Sequence, residues 1–189
     1  MEGALGADRP RAWESALVVR VPCLDDTVAS LRRRFGLPRK PNGIPPHITA
    51  IVPFLPARDL DEEGALPELR SLCAEFEPFQ VTFSRTARFP RVLYLVPEPA
   101  DPFIALTHAI VERWPETQPY AGAHKAVVPH LTVTTSRPAK VFDKVAEALR
   151  PQLPVSARIE SAHVYLFDRN HWTEHVAVAL GPPPGHGMM

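Results

Sequence analysis

An α+β fold is predicted for this chain: two lobes of antiparallel sheet, related by a pseudo-two-fold axis, with helices on the outside. Three observations predict it. The string Pro-His-aliphatic-Thr occurs twice, as Pro46-His47-Ile48-Thr49 and as Pro129-His130-Leu131-Thr132. A helical pattern and then strand patterns follow each copy, over residues 46–96 and again over 129–180. The strands after each helix are joined by short links, which reads as antiparallel hairpins rather than the long crossovers of a parallel sheet.

The elements follow in order. Residues 16–21 read as a short apolar strand. Asp25 or Asp26 is placed to cap a helix whose Val28, Leu31 and Phe35 share a face, with Gly36 as its stop. A Pro/Gly loop over 37–45 carries Arg39 and Lys40 into the first motif. Ala50 to Phe54 continue that motif as a strand. Residues 57–65 are acidic, a loop or helix start, and Leu66, Leu69, Cys73 and Phe76 then mark a helix. Residues 79–83 alternate as a half-buried strand, 88–91 read as a turn, and 92–96 as the next strand.

Asp101-Pro102 starts a helix with Phe103, Leu106, Ile110 and Trp114 inward, and 117–128 is a loop before the second motif. After that motif, 133–135 is strand, and Pro138 starts a helix with Val141, Phe142, Val145 and Leu149 on one side. Residues 155–159, 163–167 and 174–180 are the remaining strands. Much of the abundant proline is punctuation. Pro67, Pro102 and Pro138 fall near helix starts, where a missing N–H costs little, and Pro115 and Pro151 follow helix ends. The organisation expected is a flexible N-terminus over 1–14, one bilobal domain over 15–181, and a disordered Pro/Gly tail over 182–189.

Composition bounds the function. The 189 residues fit one domain of two packed lobes, and the 45% apolar and 22% charged fractions are those of an ordinary soluble protein. Lys+Arg and Asp+Glu both number 21, so the overall field is not that of a duplex DNA or general RNA binder. Any nucleic acid is then gripped locally, at an end. Cys23 and Cys73 read as free thiols in a reducing compartment. The first ten residues carry Glu2, Asp8 and Arg9 without an apolar core, so no signal peptide is expected, and no apolar run is long enough to span a membrane. The location expected is the cytoplasm.

In a strand, side chains alternate between faces, so His47 and Thr49 point one way while Ile48 and Ala50 point into the core. The same holds for His130 and Thr132 against Leu131 and Val133. A polar His-Thr pair made twice on otherwise apolar strands reads as two halves of one site. One such motif is common by chance; two in matched settings are not. On these paired motifs, from about Ala16 to Leu180, the chain resembles the 2H phosphoesterase superfamily, and within it the bacterial 2′-5′ RNA ligase-like proteins, or RNA 2′,3′-cyclic phosphodiesterases. The resemblance implies an active-site cleft between the lobes with one His-Thr pair on each side. It also implies His47 as proton donor and His130 as proton acceptor, roles the residues themselves do not rank.

The chemistry fits these residue types. A phosphate cyclised across two ribose hydroxyls is strained, but water is a poor nucleophile. One group must take a proton from the attacking water, and another must give one to the departing oxygen. Histidine suits both tasks because its unperturbed pKa is roughly 6.5. Thr49 and Thr132 stand roughly 6.5–7 Å along the strand from their histidines, suited to binding non-bridging phosphate oxygens. This chemistry calls for no metal and no cofactor.

The reaction expected is hydrolysis of a 2′,3′-cyclic phosphate, at an RNA end or on a nucleotide, to a phosphomonoester. Reversible 2′-5′ ligation is the alternative within the chemistry, and a non-catalytic RNA-end or nucleotide-binding protein is the alternative outside it. The substrate expected is an RNA terminus or small cyclic nucleotide, with no membrane or DNA partner, and the chain is expected to be a monomer. Tyr120, His124 and Lys125 precede the second motif, where a cleft wall that grips phosphate or stacks a base and a plain surface loop both fit. Tyr165, His163 and Arg169 are candidates of the same kind. Zinc would need more ligands than His47 and His130, and His163, His171 and His175 fall on two strands and their turn. Arg32-Arg33-Arg34 reads as a solvated run on a helix, and Trp13, Trp114 and Trp172 as core or edge anchors.

Overall fold

The computed structural model describes residues 14–37, 43–122, 126–135 and 137–182. Its elements run β1 (Ser15–Arg20), α1 (Asp25–Arg34), β2 (His47–Ile51), α2 (Leu66–Ala74), β3 (Phe79–Phe89), β4 (Val92–Glu98), α3 (Asp101–Arg113), β5 (Leu131–Thr135), α4 (Ala139–Leu149), β6 (Val155–Ile159), β7 (Ser161–Phe167) and β8 (Trp172–Ala179). The eight strands form one sheet in the order β6-β3-β4-β5-β2-β1-β7-β8, and every neighbouring pair is antiparallel. The α+β class and the paired lobes are therefore as expected. The N-terminus and tail that the sequence marks as flexible fall largely outside the described residues.

The order is symmetrical about the seam between β5 and β2. These two strands continue the His-Thr motifs, β4 and β1 flank them, and α3 leads from β4 to β5 as α1 leads from β1 to β2. Each lobe thus draws strands from both halves of the chain. The second expected hairpin does not form. β6 pairs with β3, while β7 pairs with β1 and β8. Only Glu160 separates β6 from β7, and one residue is too few to reverse a chain into a hairpin. The strand instead runs on from the edge of one lobe into the other. This requires the sheet to curl until its two ends approach. Two contacts agree: the Leu180 N–H donates to the Glu160 carbonyl at 2.8 Å, and Gly181 packs against Pro78.

The helices cover one face. Val28 and Leu31 of α1, Leu66, Leu69 and Cys73 of α2, Phe103, Leu106 and Ile110 of α3, and Phe142, Val145 and Leu149 of α4 are all buried. They pack on Leu17, Val19, Ile48, Leu93, Leu95, Leu131 and Val133 in one continuous core. Each such side chain taken from water stabilises the fold by about 1.5–3 kcal/mol. Residues of alternate parity on the same strands face the helix-free side, where Ala16, Val18, Ile44, Val52, Tyr165 and Trp172 make a second, smaller apolar cluster.

Three local expectations change. The strand expected to run to Phe54 stops at Ile51. Asp25 and Asp26 do not cap α1; they lie in its first turn, and Asp25 pairs with Arg20 at 2.9 Å. Residues 88 and 89 are not turn but strand. β3 continues to Phe89, and Pro90-Arg91 makes the reversal, with Arg91 at φ 89°. A register shift between Phe83 and Thr86 is the reason the strand disguises itself. A bulge turns the following residues over, so the alternation that puts Phe83 in the core does not continue in phase.

Candidate active site

Ile48 lies directly opposite Leu131 in the seam. Stepping one residue each way along an antiparallel pair sets His47 across from Thr132 and Thr49 across from His130. Ile48 and Leu131 are buried on the helix side. The four polar residues therefore share the helix-free face, each histidine beside the other motif's threonine. The structure brings together all four residues that the motifs single out.

The two imidazoles are held alike. His47 Nδ1 lies 2.7 Å from the Pro45 carbonyl oxygen, and His130 Nδ1 lies 2.8 Å from that of Val128. A carbonyl only accepts, so Nδ1 carries the proton in each ring. In a neutral ring Nε2 is then the basic nitrogen, and the backbone fixes ring orientation as well as tautomer. Pro46 in turn is tied into the β1–β2 ladder, its carbonyl accepting from the Val21 N–H at 3.1 Å.

The surroundings of the two rings differ. His47 is buried, and its neighbour across the β1–β2 ladder is Arg20. Arg20 reaches Asp25 at 2.9 Å and Glu174 at 3.7 Å. Glu174 also accepts from the Tyr165 hydroxyl at 2.9 Å and faces His163 Nδ1 at 3.2 Å. Burial acts to raise the Glu174 carboxyl, but the bonds from Tyr165 and His163 and the nearby charges hold it below its ordinary value. Burial, reinforced by the bond to Glu174, pushes the Tyr165 phenol up to about 12. His130 is half-buried and stands edge-on beside a stacked pair, with Phe89 at 5.1 Å and Tyr94 at 5.4 Å from it and 4.4 Å from each other.

Tyr120 comes to the site from the loop. Its hydroxyl is hydrogen-bonded to Thr49. Its N–H donates to the Val52 carbonyl at 2.8 Å, and its backbone sits in the left-handed region at φ 52°, uncommon for a bulky residue. Burial raises its phenol, with the Thr49 bond acting the other way. Tyr165 lies on the same face, further out in the lobe of β1 and β7. Lys125 and His124 lie outside the described residues. Of the other histidines weighed, His163 goes to Glu174 and Ser161, and His175 to the Leu60 carbonyl. Arg169 sits in the β7–β8 turn at φ 81°.

Sequence reasoning missed Arg20, Phe89 and Tyr94. Arg20 ends an apolar strand, and its facing of His47 follows only from the register. Phe89 was hidden by the bulge. Tyr94 was legible as strand, but its neighbour Thr132 belongs to a distant segment.

The model of the 2′-5′ RNA ligase superfamily matches residues 21–171. No curated protein matches the chain. Among solved structures, Escherichia coli LigT in apo form is similar, with a TM-score of 0.57 and 15% identity over 89% of this chain and 98% of that one. TT0787 of Thermus thermophilus aligns with a TM-score of 0.52 and 20% identity, covering 88% of this chain and 97% of its own. LigT has also been solved in complex with NADP+ and with 3′-AMP. The likeness to these structures is one of fold, and the matched segment holds both His-Thr motifs. This chain belongs to the 2′-5′ RNA ligase superfamily.

Proposed function

We propose that this protein hydrolyses 2′,3′-cyclic phosphates, at RNA ends or on nucleotides, to the 2′-phosphate by two-histidine acid/base chemistry without a metal ion. The observation that carries this reading is the matched pair of imidazoles, each tied through Nδ1 to a backbone carbonyl and each facing the other motif's threonine across one seam. Water's oxygen forms a bond to phosphorus, and one Nε2 takes the proton that water loses. The bond from phosphorus to the 3′ oxygen breaks, and the other imidazolium gives that oxygen a proton. Thr49 and Thr132 donate to the non-bridging oxygens, where charge develops. Following the family, His47 is the donor and His130 the acceptor. With a 5′-hydroxyl in place of water the same groups keep these roles, and the product is a 2′-5′ linkage with a free 3′-hydroxyl; the roles exchange only when that linkage is cleaved back to the cyclic phosphate.

The ligands of the similar LigT support the substrate class. NADP+ carries a ribose 2′-phosphate and 3′-AMP a ribose 3′-phosphate, the two positions that a cyclic phosphate bridges. The test is incubation with 2′,3′-cyclic nucleotides and short RNAs ending in a cyclic phosphate, in EDTA, followed by phosphorus NMR. A 2′-monophosphate should form, and His47→Ala and His130→Ala should each lower the rate by about 10²–10⁴. Because one ring must be neutral and the other protonated, the rate should pass through a maximum with pH. No turnover, or turnover that survives both substitutions, would overturn the reading.

A further inference from the structure

The C-terminal half of α1 borders a hollow of about 450 Å³ that ends at Pro45, the residue whose carbonyl holds the His47 ring. Ala29, Arg32 and Arg33 recur at i, i+3 and i+4, so they form one stripe of the helix; Gly36 lies just past its C-terminus, and Ile44 and Pro45 complete the lining. No carboxylate lines the hollow among the described residues. Arg32 is half-buried, and neither it nor Arg33 makes an ion pair among the described residues. Burial alone lowers the Arg32 guanidinium below its ordinary value, the mark of a cation losing water without gaining an anion. Beside the hollow, Arg137 donates to the Gly36 carbonyl at 3.3 Å, and its Nε–H is buried without a partner.

A solvated run that merely complements the helix dipole has no need of this burial. The pseudo-symmetric helix α3 makes the contrast. Its C-terminal Arg113 pairs with Glu68 and lies over the Trp114 ring. The basic hollow lies at the His47 end of the seam.

We propose that this hollow seats an internal phosphodiester of a single-stranded RNA whose cyclic end lies between His47 and His130. The inference rests on the proposed function and narrows it: the preferred substrate is an oligonucleotide, not a mononucleotide. Arg32 and Arg33 supply the charge and Arg137 a further donor, while Pro45 links the hollow to the reacting end.

The test is fluorescence anisotropy of a labelled RNA tetramer ending in a 2′-phosphate, against 2′-AMP as competitor, across a NaCl series. Arg33→Gln is the first variant because its side chain is exposed on α1 and the fold does not depend on it. Arg32→Gln and Arg137→Gln follow. Arg34→Gln is the control, since that guanidinium lies over the Phe35 ring at 5.2 Å. The tetramer should bind more tightly than 2′-AMP. Each hollow variant should weaken the tetramer roughly tenfold and reduce the salt slope by about 0.7, with Arg34→Gln unchanged. Equal binding of tetramer and mononucleotide, or a salt slope that no hollow variant alters, would overturn the proposal. Binding is read without turnover, so wild-type hydrolysis of a cyclic mononucleotide separately decides the proposed function.

Discussion

Ile48 and Leu131 face each other across the strand pairing that joins the two lobes side by side, and among the described residues theirs is the single residue pair in its register. Everything proposed for the site depends on this pair, because it sets where each histidine stands relative to the other. Leu131 is fully buried, so Leu131→Ala should destabilise the fold by about 2–5 kcal/mol. Turnover should fall as well, and at temperatures where the variant is still folded. Ile48→Val, a smaller loss of about 0.5–1.5 kcal/mol, should leave turnover near wild type. Denaturant unfolding beside kcat measurement checks both. A folded Leu131→Ala protein of full activity would show that the seam does not position the histidines.

The Tyr120–Thr49 hydrogen bond offers a second test. It joins a loop residue, whose backbone sits in the left-handed region, to one of the proposed phosphate donors. Tyr120→Phe keeps the ring and removes the hydroxyl. If Tyr120 acts by orienting Thr49, the losses in kcat/KM from Tyr120→Phe and Thr49→Val should not add, and a double-mutant cycle should return about 0.5–3 kcal/mol of coupling. Additive losses would separate the two residues.

How far the sequence reaches can be judged from these residues. His47, Thr49, His130 and Thr132 were legible because strand alternation is a local rule and the motif repeats. Lobe membership was not, because a strand's partner is set by long-range register. Residues 160–162 show the limit: as a three-residue link between two strand patterns they read as a hairpin, but the second strand begins at Ser161, and only Glu160 is left to join the two. Phe89 shows another, since the bulge in β3 changes which parity faces the site. Arg32 read as solvated because its burial depends on the 43–45 segment folding over α1.

Alkaline pH should destabilise the protein through Tyr165. Its phenol is raised from 10.0 to about 12 in the folded state, by burial first and by the Glu174 bond second. The unfolded chain therefore releases this proton at lower pH than the folded one. The contribution is fully present below pH 10 and is lost as pH rises toward 12. Cys73, raised by burial from 9.0 to about 12, acts in the same direction from a lower starting pH. Thermal unfolding from pH 8 to 11.5 should show Tm falling above pH 9, and Tyr165→Phe should flatten the part above pH 10. An unchanged slope in that variant would place the alkaline loss elsewhere.

Thr134 should be replaceable with a gain. Alternation from Thr132 would place it on the site face, but β5 carries a register shift opposite Leu93 and Tyr94, so Thr134 pairs with Leu93 of the core. Its side chain is buried, and its hydroxyl has no hydrogen-bond partner. An unsatisfied buried hydroxyl costs about 1–3 kcal/mol, whereas valine of the same shape leaves nothing unpaired. Valine also favours strand backbone as much as threonine does. Thr134→Val should therefore raise the urea midpoint by an amount worth about 1 kcal/mol, without a change in m-value. The substitution lies two residues from Thr132 but on the other side of the bulge, so turnover should be unaffected. A loss of stability would mean that the hydroxyl is satisfied in solution, and a loss of turnover would mean that the bulge itself needs threonine to hold Thr132 in place.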